Sequence, residues 1–166
     1  MPVTDPESLF VHELKDILFA ERTIEKALPK LANEATNPEL KAAIEHHLEE
    51  TKNHIANLSQ IFEEMDMAAR GQQCPGILGL VKEHDQFVDE NGDAPAEVLD
   101  SFLCGAAART EHYEIAAYTG LVASAQALGK PEAARLLQAN LEQERAMLAK
   151  ATATHERIVG AARATS

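Results

Sequence analysis

The sequence predicts an all-α fold: a four-helix bundle of two antiparallel helical hairpins, joined by a crossover that carries a short extra helix. Three observations predict it. Apolar residues recur in steps of three and four through four separate segments, which places them on one stripe of each helix. The prolines and glycines stand mostly between those segments, where helices start and stop. Alanine, leucine, glutamate and lysine abound while aromatics make up only 4%, a composition that favours helix over sheet.

The first helix spans residues 6–35. "TDPE" opens it with a capping residue and then a proline at the first helical position, both favoured there. Its seam reads Phe10, Leu14, Ile17, then Ile24, Leu28, Leu31. "NPEL" opens the second helix, residues 38–69, in the same way, with Ile44, Leu48, then Ile55, Leu58, Phe62 and Met65 along its seam. "GDAPAE" opens the third, residues 95–128, with Leu103, Ala107, Ala117 and Leu121. "LGKPEA" sets Gly129 and Pro131 before the fourth, residues 131–160, whose seam is Leu137, Leu141, Leu148, Ala151 and Ile158. Each helix is about 45 Å long at 1.5 Å per residue. An average repeat near 3.5 suits helices packed almost parallel to one another.

The segment "RGQQCPGILGLVKEHDQFVDENGD" joins the second and third helices and has room for a short helix around residues 77–88. Short links make antiparallel hairpins of the first and second and of the third and fourth helices, and the long link crosses the bundle. The 166 residues suit one domain with a sizeable core. Shifting the sequence by 93 positions lays Pro38–Glu39 on Pro131–Glu132, Leu48–Glu49 on Leu141–Glu142, Ile44 on Leu137 and Glu21 on Glu114. A duplicated hairpin accounts for these matches.

Each seam is interrupted by polar residues at one height. The first breaks at Glu21, the second at Thr51 with Glu50 and His54 beside it, the third at Glu114 with Glu111 one turn earlier, and the fourth at Glu144 with Met147 one turn later. Glu21 and Thr51 both lie 15 residues from position 36, and Glu114 and Glu144 both lie 15 from Gly129. In antiparallel hairpins those residues share a level. A lone glutamate in a helical seam ordinarily reaches solvent or pairs with a base. Several in one apolar layer repel, and some must take up protons unless cations supply the missing charge. Carboxylates with an imidazole suit iron or manganese, and less specifically zinc.

His12, His46, His47 and His84 have no comparable set of carboxylates, and His155 lies on the fourth seam far from the layer. Tyr113 and Tyr118 flank Glu114 as packing residues, with a hydrogen bond to a ligand or a radical sink as their alternative role. The balance of 15 basic against 27 acidic residues, a net charge of −12, argues against nucleic acid and anionic membrane as partners and for cations. No apolar run has transmembrane length and the opening residues are charged. Cys74 and Cys104 make neither a metal spacing nor a disulfide framework. The expectation is a cytoplasmic protein with reduced thiols.

Four stretches carry a family resemblance: "LKDILFAERTIEKALPKLA", "HLEETKNHIANLSQIFEEM", "ARTEHYEIAAYTGL" and "LLQANLEQERAMLAK". Across about residues 6–158 they resemble the helices of the YciF/YciE stress-protein family, a branch of the ferritin-like superfamily. The resemblance implies a ferritin-like bundle, a homodimer, a role in stress response and a two-ion centre of the rubrerythrin kind, with iron ahead of manganese or zinc. It implies metal ligands at Glu21, Glu50, His54, Glu111, Glu114 and Glu144. The second helix departs from the superfamily's Glu followed three residues later by His, because Thr51 precedes His54 at that distance. On the fourth helix Met147 stands where a histidine is expected. A carboxylate-rich site with at most one histidine follows. Three functions stay open: a di-iron oxidoreductase that oxidises ferrous iron or reduces peroxide, a metal-binding protein without turnover, and a helical scaffold without metal.

Overall fold

The computed structural model describes residues 2–164. Five helices follow one another: α1 (Pro6–Glu34), α2 (Pro38–Glu64), α3 (Pro75–Asn91), α4 (Ala96–Ala127) and α5 (Pro131–Ala164), with no strand among the described residues. Proline begins α1, α2, α3 and α5, where its missing N–H costs nothing and its fixed φ is already helical. Asp5 caps α1 through its carboxylate, which accepts from the Ser8 amide, while the Ser8 hydroxyl returns to the Asp5 amide. Asn37 caps α2 by accepting from Glu39 and Leu40.

α1 pairs with α2 and α4 with α5, and the two hairpins meet along α2–α5 and α1–α4, so that four helices close a ring. The ring encloses Phe10, Leu14, Ile17, Leu40, Ile44, Leu58, Phe62, Leu103, Leu121 and Leu137. α3 lies outside it against α4 and α1, with only Ile77 and His84 buried. At its first turn Gly76 approaches so closely that a Cβ there would stand 2.6 Å from the Tyr113 ring. The Tyr113 hydroxyl is held between Asp16 on α1, at 3.0 Å, and the Cys74 thiol, at 2.9 Å.

α2 ends at Glu64 rather than at 69. Asp66 takes the left-handed conformation, φ 55°, which aspartate tolerates better than most residues. Its amide bonds Glu63 O at 2.9 Å and the Met67 amide bonds Phe62 O at 2.9 Å, which closes the helix end. α4 closes in the same way on Gly129, φ 67°, with bonds from Gly129 to Gln126 O and from Lys130 to Ala125 O. The α1–α2 turn is fastened from outside its own hairpin. Asp100 of α4 is 4% exposed, and its carboxylate accepts from the Thr36 amide at 2.8 Å, the Thr36 hydroxyl at 2.6 Å and the Asn37 amide at 2.9 Å.

Candidate metal centre

Six ionisable side chains converge inside the ring: Glu21 from α1, His47 and His54 from α2, Glu111 and Glu114 from α4, and Glu144 from α5. Each is 2% exposed or less. They form two groups that share Glu144. His47, Glu111, Glu114 and Glu144 make the first, Glu21, His54 and Glu144 the second, and within each group one donor atom per residue lies within 4.8 Å of all the others. Helical spacing brings them there. On α2 the inward face runs Ile44, His47, Thr51, His54, Leu58, and on α4 it runs Ala107, Glu111, Glu114, Tyr118, in the steps of three and four that return to one face. Thr51 fills the level between the imidazoles and spends its hydroxyl on His47 O at 2.9 Å.

Surrounding residues aim the donors inward. His54 Nε2 donates to Gln143 Oε1 at 2.8 Å, which turns Nδ1 toward Glu144 Oε1 at 2.9 Å and Glu21 Oε1 at 3.2 Å. His47 Nδ1 faces Glu50 Oε2 at 3.4 Å, and its Nε2 faces Glu111 Oε1 at 3.4 Å and Glu144 Oε2 at 3.7 Å. A histidine tied through one nitrogen offers the other, in a fixed orientation, to an ion. Tyr118 donates to Glu21 Oε1 and accepts from Asn140 Nδ2 at 3.1 Å, and Asn140 Oδ1 in turn accepts from Asn57 at 2.7 Å.

Eight buried side-chain atoms among the described residues have no hydrogen-bond partner: Glu21 Oε2, His47 Nε2, His54 Nδ1, Glu111 Oε2, both oxygens of Glu114 and both of Glu144. All belong to the six converging residues. Folded proteins rarely leave such groups unmet, because each costs about 1–3 kcal/mol. Several approach one another within hydrogen-bonding distance yet are not aligned to bond. Oxygen and imidazole-nitrogen donors with free lone pairs facing a common point fit a divalent ion.

The electrostatics agree with that fit. Burial, then the charge of Glu144, pushes Glu111 and Glu114 well above the ordinary carboxylate value. Burial also raises Glu21, against the pull of His54. Burial alone would push His54 down, but its contacts with Glu144 and Glu21 raise it to about 10. Burial would raise Glu144 too, but His54, Glu111 and His47 together hold it low. Without an ion, the layer resolves its crowding by holding protons.

Of the residues singled out in the sequence, Glu21, His54, Glu111, Glu114 and Glu144 come together in these groups. Glu50 stands behind them. Its side chain is 13% exposed and takes His47 Nδ1 on one oxygen and His46 Nε2, at 3.3 Å, on the other. His47 occupies the place expected of Glu50, so the layer has two imidazoles where the sequence suggested at most one. The signal was there: His47 lies three residues after Ile44, four before Thr51 and seven before His54. Reading the seam through Leu48 and Ile55, which are only partly buried, turned the face by one position. Met147 is buried on α5, one turn after Glu144.

A family model described as "Domain of unknown function (DUF892)" matches residues 5–164. The chain belongs to the DUF892 family. Among its curated relatives is protein YciF of Escherichia coli strain K12, 37% identical over 147 residues, which cover 88% of this chain and 87% of that protein. The crystal structure of the E. coli stress protein YciF superposes with a TM-score of 0.90 at 35% identity, covering 95% of this chain and 99% of the other. YcfI from Rhodopseudomonas palustris matches with a TM-score of 0.87 at 41% identity, over 90% and 94% of the two chains. This DUF892 chain is therefore a homologue of a bacterial stress protein. No helix among its described residues is long and apolar enough to cross a membrane.

Proposed function

We propose that this DUF892 protein is a ferritin-like four-helix bundle, one domain long, whose buried layer holds two divalent ions, iron ahead of manganese or zinc. The observation that carries the reading is the set of eight unpartnered donor atoms, confined to the six residues that converge. Glu144 belongs to both groups and would serve as a ligand in each. Glu21 and His54 complete one side, and His47, Glu111 and Glu114 the other. Carboxylate-rich sites with two imidazoles, drawn from facing helices, are the donor sets of di-iron bundles. Bound there, a pair of iron ions would supply one-electron chemistry toward dioxygen or peroxide. The chain's own residues fix the donors, exclude water and give up protons as the ions enter.

We further propose a role in stress response, in the cytoplasm and as a homodimer; the stress-protein relative supports the first of these. Elemental analysis of protein purified without chelator tests the reading. We expect about two ions per chain, as the two donor groups require, with ferrous iron restoring them after chelation. Stoichiometric metal without consumption of dioxygen or peroxide would reduce the function to metal binding. No metal before or after adding ferrous iron would leave a helical scaffold.

A further inference from the structure

A cavity of about 60 Å³ lies between α3 and the ring and reaches His47 and Glu111, two residues of the first donor group. Its walls are apolar for most of its length: Leu28 and Leu31 from α1, Ile77, Leu80 and Val81 from α3, and Ala107 from α4. Charged residues stand at the margins of α3. Lys30 pairs with Asp85 at 2.6 Å and Arg109 with Glu83 at 3.5 Å, and Lys30, Asp85 and Arg109, with His84 and Thr110, form the polar part of the lining.

Those properties select what can pass. Over the apolar stretch of this lining a cation would shed its hydration with few oxygen or nitrogen donors to replace it. Apolar cavities in other proteins stay dry and take up xenon or other small apolar molecules. The volume suits a molecule of two or three heavy atoms. We propose that the cavity under α3 is a binding passage for a small uncharged molecule of the dioxygen class, leading it to the His47–Glu111 side of the centre while ions enter elsewhere. Ala107 of α4 and Leu80 of α3 both line it. The assignment of a destination rests on the metal reading above. The cavity itself does not.

Two measurements separate these. In crystals of chelator-treated protein held under xenon, we expect one xenon atom between Leu28, Ile77 and Ala107, and its loss in Ala107→Phe. In ferrous-loaded protein mixed rapidly with nitric oxide, we expect Ala107→Phe to slow the appearance of the iron–nitrosyl absorbance at unchanged iron content. Leu80→Ala should speed it, and this variant reads the passage even if Ala107→Phe does not fold. An empty cavity under xenon overturns the proposal. So does a nitric oxide rate that neither substitution moves. A chain that takes up xenon there but binds no iron keeps the cavity as an apolar ligand site and refutes the metal reading alone.

Discussion

At the scale of single residues, the centre separates groups that donate from groups that aim. Glu144 reaches both imidazoles, within 2.9 Å of His54 and 3.7 Å of His47, and no other side chain belongs to both donor groups. Glu50 touches His47 from behind. Glu144→Gln should therefore disturb both ions, whereas Glu50→Gln should keep the stoichiometry and weaken affinity by about 10–100-fold, the usual effect of losing a histidine's outer partner. Zinc titration calorimetry distinguishes them, and an unchanged affinity in Glu50→Gln would remove its positioning role. The same residues mark what the sequence disclosed. Glutamates in a seam stand out because their charge contradicts burial, so Glu21, Glu111, Glu114 and Glu144 were legible. A histidine carries no such contradiction, and His47 differs from its exposed neighbour His46 only by the 100° that separates adjacent residues on a helix.

At the scale of elements, the helices were legible because proline and capping residues announce their beginnings. Their ends were less so. The stop of α2 depends on a left-handed Asp66, and nothing in its neighbours' side chains advertises that conformation. α3 was legible as a helix, but not its role as a cover, which arises from tertiary contacts. Its docking gives a prediction. The Tyr113 ring that meets Gly76 cannot swing aside without losing Asp16 and Cys74. Gly76→Ala should cost about 1–3 kcal/mol through this overpacking, more than the gain in helix propensity returns. At Gly79 a Cβ meets nothing within 4 Å, so Gly79→Ala should stabilise by up to about 1 kcal/mol. Thermal melts of the two variants should shift in opposite directions, and a common direction would contradict the fit of α3 against Tyr113.

At the scale of the whole molecule, the proton-holding layer couples stability to pH. Glu111 and Glu114 bind protons more tightly folded than unfolded, so in chelator the stability they permit falls as pH rises above their ordinary value of 4.5. His54 acts with the same sign: its contribution is complete below 6.5 and is lost as pH climbs through about 10. Glu144, held low, acts oppositely and withdraws stability only as pH falls below 4.5. Melting of the chelated protein should thus be highest in mild acid and decline toward alkaline pH. Saturating zinc should flatten that decline, since metal binding requires the protons to leave. A chelated protein whose melting temperature rises from pH 5 to pH 9 would contradict the raised affinities. The carboxylate of Asp100 bears on a different property of the molecule, its order of assembly. The amides of Thr36 and Asn37 belong to the first hairpin, yet their acceptor arrives from more than sixty residues downstream. The α1–α2 hairpin can zip early as a local structure, but its turn stays open to solvent until α4 docks. In a refolding chain those two amides should gain protection from hydrogen exchange in step with α4, later than the helices they connect.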